Sequence, residues 1–183
     1  MFDSVYRRAF YRVRDPQLHV FRPNLRHSAR GVILTDDNRL LLCRHVSPGV
    51  DERAVWAAPG GGIESGETLL MALRRELREE VGLTVNDDPP HVWHQTVIRP
   101  GHPPGYDGVI NDYFLVRVAW FTPCGSLSPA DLAAETIGDV RWWSLTEISS
   151  YQGSDLFSPR DLATPLANLI NRGIPPTPVE MGL

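Results

Sequence analysis

The 183-residue sequence has only two cysteines, no excess of basic over acidic residues and no long apolar run. Its two cysteines, Cys43 and Cys124, provide neither a disulfide framework nor a cysteine-rich zinc site. A net charge of −4 argues against general nucleic-acid binding, which needs a basic face. No apolar run reaches the length of a membrane span, and arginines interrupt the segment where a signal peptide would be apolar. These absences predict a protein of the reducing cytoplasm.

The remaining composition is that of an ordinary globular domain, with 42% hydrophobic and 22% charged residues. We predict a basic N-terminal extension over residues 1–28, one globular domain over 29–173 and a mobile tail over 174–183. Apolar residues recur at helical spacing over 4–14 and predict a short amphipathic helix. Its arginines would either lie near a phosphate-bearing substrate or be solvated on a helix packed against the core.

Apolar runs with turn residues between them predict several strands. The runs ARGVILT (29–35) and RLLLCR (39–44) flank Asp-Asp-Asn and predict a hairpin. A second pair of strands is predicted at 91–99 and 109–121, and one short strand at 139–143. Capping-box spacing from Ser144 to Glu147 and a Thr164-Pro165 pair indicate two later helices, the second ending at Gly173.

The most informative segment combines a glycine cluster with a glutamate-rich helix. We predict this helix from about Thr68 to Val81, with Gly82 ending it. Glu76, Glu79 and Glu80 fall within an arc of about 100° on its surface. Like charges one turn apart, near the negative end of the helix dipole, oppose helix formation. An apolar stripe beside them must face the core and contains Leu70, Leu73, Leu77 and Val81.

Two interpretations account for the glutamate cluster. A hard divalent cation would offset both electrostatic penalties, and Mg²⁺ commonly shares its oxygen ligands between carboxylates and substrate phosphate. Alternatively, the glutamates form a solvated face and pair with neighbouring arginines on the same helix. Those arginines are Arg74, Arg75 and Arg78.

The spacing of the whole segment resembles the Nudix box, without a departure from its pattern. Gly61 and Glu67 are separated by five residues, and seven more precede Arg75-Glu76-Leu77. Glu79-Glu80 and Gly82-Leu83 then complete the pattern. The flanking segments WAAPG at 56–60 and RWWSL at 141–145 also resemble that family, and the order of strands resembles it from Ala29 to about Ser150.

This resemblance implies an α/β fold, an α/β/α sandwich with a mixed β-sheet. It implies that Glu76, Glu79 and Glu80 hold Mg²⁺, with Mn²⁺ as the alternative ion, and that Arg75 orients a glutamate of the cluster. Glu67 would form a structural ion pair at the helix start. Gly61 would let the backbone approach the metal or a phosphate, as a residue without a side chain permits.

The implied reaction is attack of water on one phosphorus of a diphosphate linkage. Family resemblance places a further glutamate at Glu135, which we expect to act as an additional ligand or as the base. His102 is the competing base, since imidazole titrates near neutral pH. An exposed loop histidine without a catalytic role is the other interpretation of that residue. Tyr106, in the same Pro/Gly-rich loop as His102, is our candidate for stacking on a nucleotide base.

Three functions remain open within these limits. ADP-ribose or nucleotide-sugar hydrolysis is favoured, because family members of that type carry a proline some fifteen residues past the box and Pro100 lies slightly beyond that distance. Nucleoside triphosphate hydrolysis competes with it. A non-catalytic nucleotide or ADP-ribose sensor is the alternative from another class. The expected partner is a small nucleotide, with neither membrane nor general nucleic-acid binding, and composition leaves a monomer and a homodimer as alternatives.

Overall fold

The computed structural model describes residues 22–46, 54–100, 103–134 and 136–182. Its strands are β1 (Leu25–Thr35), β2 (Leu40–His45), β3 (Val55–Ala57), β4 (Gly60–Gly62), β5 (His91–Ile98), β6 (Gly108–Val118), β7 (Ile137–Trp143), β8 (Leu156–Ser158) and β9 (Val179–Glu180). Its helices are α1 (Leu69–Val81), α2 (Pro129–Ala134), α3 (Leu145–Ser149) and α4 (Ala163–Arg172). In this described part no helix is long and apolar enough to cross a membrane.

The strands form one mixed sheet in the order β8-β3-β2-β1-β6-β5-β9, with β4 paired to β1 and β7 paired to β2. The long strands β1 and β6 run parallel at its centre over eleven residue pairs. Antiparallel pairing joins β1 to β2 and β5 to β6. The centre of the sheet therefore consists of strands that are distant in sequence.

Helices cover both faces of this sheet. On one face, Leu73, Leu77 and Val81 of α1 are fully buried with Ile33 and other sheet residues. On the opposite face, Leu166 and Leu169 of α4 are buried with Trp93, Trp143 and Ile148. Apolar burial on both sides is the main source of stability for such a layered fold. The expected α/β/α sandwich with a mixed sheet is confirmed.

Local sequence rules predict the helix of the box and the first hairpin well. Thr68 caps α1, and its hydroxyl accepts a hydrogen bond from the Met71 backbone N–H at 3.2 Å. Gly82 ends the helix with φ 76°, the left-handed conformation that glycine adopts readily. Both halves of the predicted capping box of Ser144 and Glu147 are present at the start of α3.

The structure differs from the prediction at both ends of its described part. The predicted helix at 4–14 lies outside the described residues, and β1 begins at Leu25, within the segment predicted as an extension. Helix α4 begins at Ala163, because the Thr164 hydroxyl donates to Asp161 instead of capping the helix. The segment predicted as a tail contains β9, which pairs with β5. The early start of β1 and the strand in the predicted tail arise from pairing with distant strands, which local sequence patterns do not report.

Candidate active site

Strand β4 brings the glycine cluster against the box helix. Its three residues pair with Ser28–Arg30 of the central strand β1. A Cβ atom at Gly61 would overlap the carboxylate of Glu76 on α1. Gly60 has φ 131°, and a Cβ atom there would collide with the Ala29 carbonyl oxygen. The absence of side chains in β4 therefore permits the close approach of its backbone to Glu76, while the approach of Gly61 to a metal or a phosphate stays a prediction.

Arg75 is the centre of the charged network on α1. Its Nε and Nη2 atoms donate to the two carboxylate oxygens of Glu67 at 2.8 and 3.0 Å, and Nη2 also donates to the Gly62 carbonyl at 3.0 Å. Its Nη1 atom donates to Glu76 at 2.8 Å and to Glu79 at 3.3 Å. The guanidinium therefore joins the start of the helix, the glycine strand and two of the three clustered glutamates.

The ion pair of Glu67 with Arg75 shifts the pKa values of both groups. Hydrogen bonds from Arg75, followed by one from the Glu64 backbone, lower the pKa of Glu67 from 4.5 to about 2. The same contacts raise the pKa of Arg75 above its ordinary value. Glu67 thus pairs with an arginine as expected, and it stays ionised under all physiological conditions.

Glu80 occupies a more enclosed position than the other two glutamates of the cluster. Only 5% of its surface is exposed, and its Oε2 atom accepts a hydrogen bond from the Gly60 backbone N–H at 2.8 Å. The side chains of Glu76 and Glu79 are 15% and 30% exposed. A buried carboxylate requires compensating partners. The strand β4 provides one of them, and so fixes the direction in which this carboxylate points.

The C-terminal end of α1 is held by a segment whose importance the sequence did not reveal. The backbone N–H groups of Cys124 and Leu127 donate to the carbonyls of Val81 and Glu79, both at 3.1 Å. A Cβ atom at Gly125 would overlap the Glu79 carbonyl oxygen. Residues 124–127 therefore satisfy carbonyls that a helix end leaves without partners. The Pro-Cys-Gly turn was the available signal, but nothing local indicates which helix it caps.

The other candidate residues do not all lie at this site. Glu135 and His102 lie outside the described residues. Tyr106 is half-buried in the loop between β5 and β6, and its N–H donates to the Pro103 carbonyl at 3.1 Å. Arg74, a proposed partner for the glutamates, instead contacts the segment that follows the helix, with its closest bond to Asp88 at 2.7 Å. Arg75 forms ion pairs with Glu76 and Glu79 of the cluster.

The residues at the end of α1 fit a hard divalent cation. Three carboxylates, from Glu76, Glu79 and Glu80, lie on one side of the helix and offer only oxygen donors, which Mg²⁺ prefers. The Glu76 carboxylate meets the backbone at Gly61, where any side chain would fill the space between them. The donor chemistry is therefore that of a magnesium or manganese site, and it differs from the nitrogen and sulfur sets that favour zinc.

A well-formed cavity lies elsewhere in the described part of the chain. It has a volume of about 610 Å³ and lies between α4, the C-terminal segment and Trp93 of β5. This is the face of the sheet opposite α1. We place the candidate site at the box and not in this cavity, because the charged network and the close glycine contact lie at the box.

The family model of the NUDIX domain matches residues 25–162 of the chain. Among curated proteins, an RNA pyrophosphohydrolase of Halorhodospira halophila is 50% identical over 64 residues, covering 34% of this chain and 30% of that protein. Nucleoside triphosphatase NudI of Escherichia coli is 46% identical over 54 residues, covering 27% of this chain and 36% of that protein. The chain thus spans only about a third of the length of these relatives.

Solved structures agree on the fold. The MutT protein from Methanosarcina mazei has a TM-score of 0.58 at 19% identity and covers 83% of this chain and 97% of its own. The NUDIX domain of Shewanella oneidensis NrtR, solved with ADP ribose, has a TM-score of 0.55 at 19% identity and covers 86% and 94%. At these identities the similarity concerns the arrangement of strands and helices alone.

Proposed function

The chain belongs to the Nudix hydrolase family, and we propose that it is a divalent-metal-dependent hydrolase of the diphosphate linkage in a nucleoside diphosphate derivative. One observation carries this proposal. Glu76, Glu79 and Glu80 lie on one side of α1, and Arg75 pairs with Glu76 and Glu79 while it also binds Glu67 just before the helix start. The three glutamates concentrate negative charge at the end of a helix that disfavours it. A cation bound there would offset the electrostatic cost of this arrangement.

The described side chains support separate roles in this proposal. Glu76, Glu79 and Glu80 would hold the cation, which when bound neutralises phosphate oxygens and lowers the pKa of an attacking water. Arg75 would keep Glu76 and Glu79 in place through its bonds at 2.8 and 3.3 Å. Gly61, which lacks a side chain, lets the backbone of β4 lie directly against the Glu76 carboxylate and would let it approach the metal or a phosphate. Removal of the proton from the attacking water would then fall to a carboxylate or an imidazole.

For that proton transfer we propose Glu135, with His102 as the alternative. Replacing Glu135 with glutamine keeps the size of the side chain and removes its basic oxygen. A Glu135→Gln variant that retains nearly full turnover would exclude Glu135 as base or ligand. Tyr106 is proposed to stack on the base of the substrate, and Tyr106→Ala should then raise KM more than it lowers kcat.

ADP-ribose or a nucleotide sugar is the substrate class that we favour. The position of Pro100 supports it, and a fold neighbour was solved with ADP ribose. Nucleoside triphosphates are the second candidate, because NudI shares 46% identity over 54 residues with this chain. The two free cysteines, Cys43 and Cys124, agree with the cytoplasmic location that we propose for the enzyme.

A substrate panel with Mg²⁺ tests the proposal. The panel contains ADP-ribose, nucleotide sugars, dinucleoside polyphosphates, nucleoside triphosphates and RNA with a 5′-triphosphate, and products are identified by mass. We expect selective turnover that EDTA abolishes and that Glu80→Gln lowers by roughly 10³-fold, the effect of losing several kcal/mol of charge stabilisation. Glu147→Gln is the matched control, since Glu147 belongs to the capping box of α3, outside the glutamate cluster.

The same panel separates the enzyme from the sensor. Tight binding of one compound without turnover of any would contradict the hydrolase proposal and favour a non-catalytic nucleotide or ADP-ribose sensor. Turnover that persists in Glu80→Gln would contradict the role proposed for that residue, while leaving the reaction itself in place.

A further inference from the structure

Two histidines and one aspartate outside the box lie together on β5 and β6. In a regular strand, residues three apart such as His91 and His94 point to opposite faces. Here the register between β5 and β6 shifts between His91 and Trp93, so that His91 lies opposite Phe114 and His94 lies opposite Asp112. The extra residue of this bulge turns His91 to the face that His94 shares with Asp112.

The donor atoms of the three side chains converge. Asp112 Oδ1 lies 2.7 Å from His94 Nδ1 and 3.1 Å from His91 Nε2. One potential ligand atom from each residue lies within 4.8 Å of the others. The Asp112 side chain is only 8% exposed, whereas each imidazole is 32% exposed. A buried carboxylate oxygen is thus bordered by two imidazole nitrogens that reach the surface.

Neighbouring groups hold the two rings in position. The His91 ring stacks on Phe114, with ring centres 5.0 Å apart and planes inclined by 25°. The second nitrogen of His94, Nε2, lies 3.4 Å from the Thr96 hydroxyl. Histidines that bind metals commonly use the remaining ring nitrogen in this way, and the contact fixes the orientation of the ring.

We propose that His91, His94 and Asp112 form a second cation site, which binds Zn²⁺ or a similar transition-metal ion. Two imidazoles and one carboxylate are a ligand set of zinc sites that keep one position open. Ligand atoms about 2 Å from a tetrahedral ion lie roughly 3.3 Å apart, and the two separations from Asp112 Oδ1 are 2.7 and 3.1 Å, with the third pair within 4.8 Å. His91 Nε2 also lies 2.9 Å from the Trp93 carbonyl oxygen and would exchange that contact for the ion. Mg²⁺ prefers oxygen ligands and is expected to avoid this site.

The proposed site lies on the same face of the sheet as α1. Asp112 pairs with Ala29 of β1, and Ala29 pairs with Gly61 of β4. Two strand spacings therefore separate Asp112 from the glycine that contacts Glu76, a distance of roughly 10 Å. The two sites are close enough to face one extended ligand and too far apart to share a single ion. The partly exposed imidazoles leave the open position of the ion accessible from solvent.

Zinc binding to the full chain tests this inference without reference to enzymatic activity. The protein is freed of metal with a chelator, placed in excess Mg²⁺ to occupy the box, and titrated with Zn²⁺ by calorimetry. Co²⁺ absorption in the visible range is recorded in parallel, because a four-coordinate site with nitrogen ligands absorbs more strongly than an octahedral oxygen site. We expect one equivalent of Zn²⁺ to bind, and His94→Gln to weaken binding by roughly 100-fold.

Matched variants locate the ion. His27→Gln removes an exposed histidine from β1, outside the cluster, and should leave Zn²⁺ binding unchanged. Glu80→Gln, which changes the box, should leave it unchanged as well. His91→Gln provides a second ligand variant if His94→Gln does not fold. Failure of the wild-type chain to bind Zn²⁺ in excess Mg²⁺ would overturn the inference, as would loss of binding in Glu80→Gln but not in the histidine variants.

Discussion

Both faces of the central sheet bury apolar residues, but they differ in the polar side chains that they contain. On the α4 face three neutral side chains, Gln95, Asn111 and Tyr113, are joined by hydrogen bonds. Gln95 Oε1 accepts from Asn111 at 3.2 Å and from Tyr113 at 3.1 Å, and Gln95 Nε2 donates to the Gly182 carbonyl at 2.6 Å. The Arg30 guanidinium also donates to Asn111 Oδ1 at 3.2 Å, so one charged group joins these neutral ones. A network of mutually paired groups specifies packing.

On the α1 face the polar groups are charged. Glu67, Glu76 and Glu79 share the guanidinium of Arg75, and the buried Glu80 is directed by the Gly60 backbone. Farther along the same face, an aspartate is bordered by two imidazoles. The residues that we propose for metal binding and catalysis therefore lie on the α1 face, and the sheet separates them from the aromatic packing on the α4 face. Substitutions on each face should therefore affect different properties.

The largest expected effect is on stability, from Trp143→Ala on the α4 face. The Trp143 ring contacts Trp56, Tyr151 and Phe157 edge-on, with ring centres 5.0–5.5 Å apart. Removing a buried tryptophan leaves a cavity and lowers the free energy of unfolding by about 3–5 kcal/mol. Turnover per folded molecule should be nearly unchanged. Urea denaturation and an activity assay on the same sample measure both quantities.

Trp120→Ala is the matched control for that variant, because Trp120 is 63% exposed. Its removal should change the free energy of unfolding by no more than about 0.5 kcal/mol. A loss of turnover in folded Trp143→Ala would show that the two faces are not separable in the way that we propose.

Gly61→Ala on the α1 face is expected to have a smaller effect, and it should lower turnover instead of stability. The added methyl group would overlap the Glu76 carboxylate and force it away from its position. The carboxylate is the flexible end of its side chain and can turn aside while the protein stays folded, so we expect the displacement of a proposed ligand to lower turnover by roughly 10- to 100-fold. Gly138→Ala is the control, since a Cβ atom there makes only an ordinary contact with Val46. Equal activity of the two variants would contradict the close contact proposed for Gly61.

The sequence predicted the elements of this comparison that depend on local rules. The bounds of α1 follow from the cap at Thr68 and the glycine at Gly82, and the box spacing placed the three glutamates and Arg75 on that helix. Helical period alone brings residues three and four apart onto one side. The box spacing and the helical period therefore predict which charged residues α1 contributes to this face. Their role as a metal site is still a prediction.

Non-local contacts account for what the sequence did not predict. The bulge at His91 and its pairing with β6 place two histidines on one face, and no local pattern indicates such a register shift. Pairing of β9 with β5 depends on residues more than eighty positions apart. The capping of α1 by residues 124–127 likewise joins segments that local propensity treats as independent. In each case a partner from a distant part of the chain decides the structure.

The smallest expected effect concerns the ion pair of Glu67 with Arg75, and it depends on pH. The pKa of Glu67 lies at about 2 in the folded chain, against an ordinary value of 4.5. A carboxyl group whose pKa is lower in the folded state stabilises that state above its unfolded pKa. This contribution is complete above about pH 4.5 and is lost as the pH falls towards 2. Glu67→Gln removes it at every pH.

We therefore expect the wild-type Tm to exceed that of Glu67→Gln by a few degrees at pH 7, and the gap to close between pH 4.5 and 2. The difference between the two proteins is the quantity to follow by circular dichroism, because acid also protonates the other carboxylates in both. Glu64→Gln serves as the control, since Glu64 is 69% exposed and lies 3.9 Å from Arg75. A difference in Tm that stays constant down to pH 2 would mean that Glu67 stabilises the fold through packing. Arg75 would then contribute less to the arrangement of the charged residues on the α1 face than its contacts indicate.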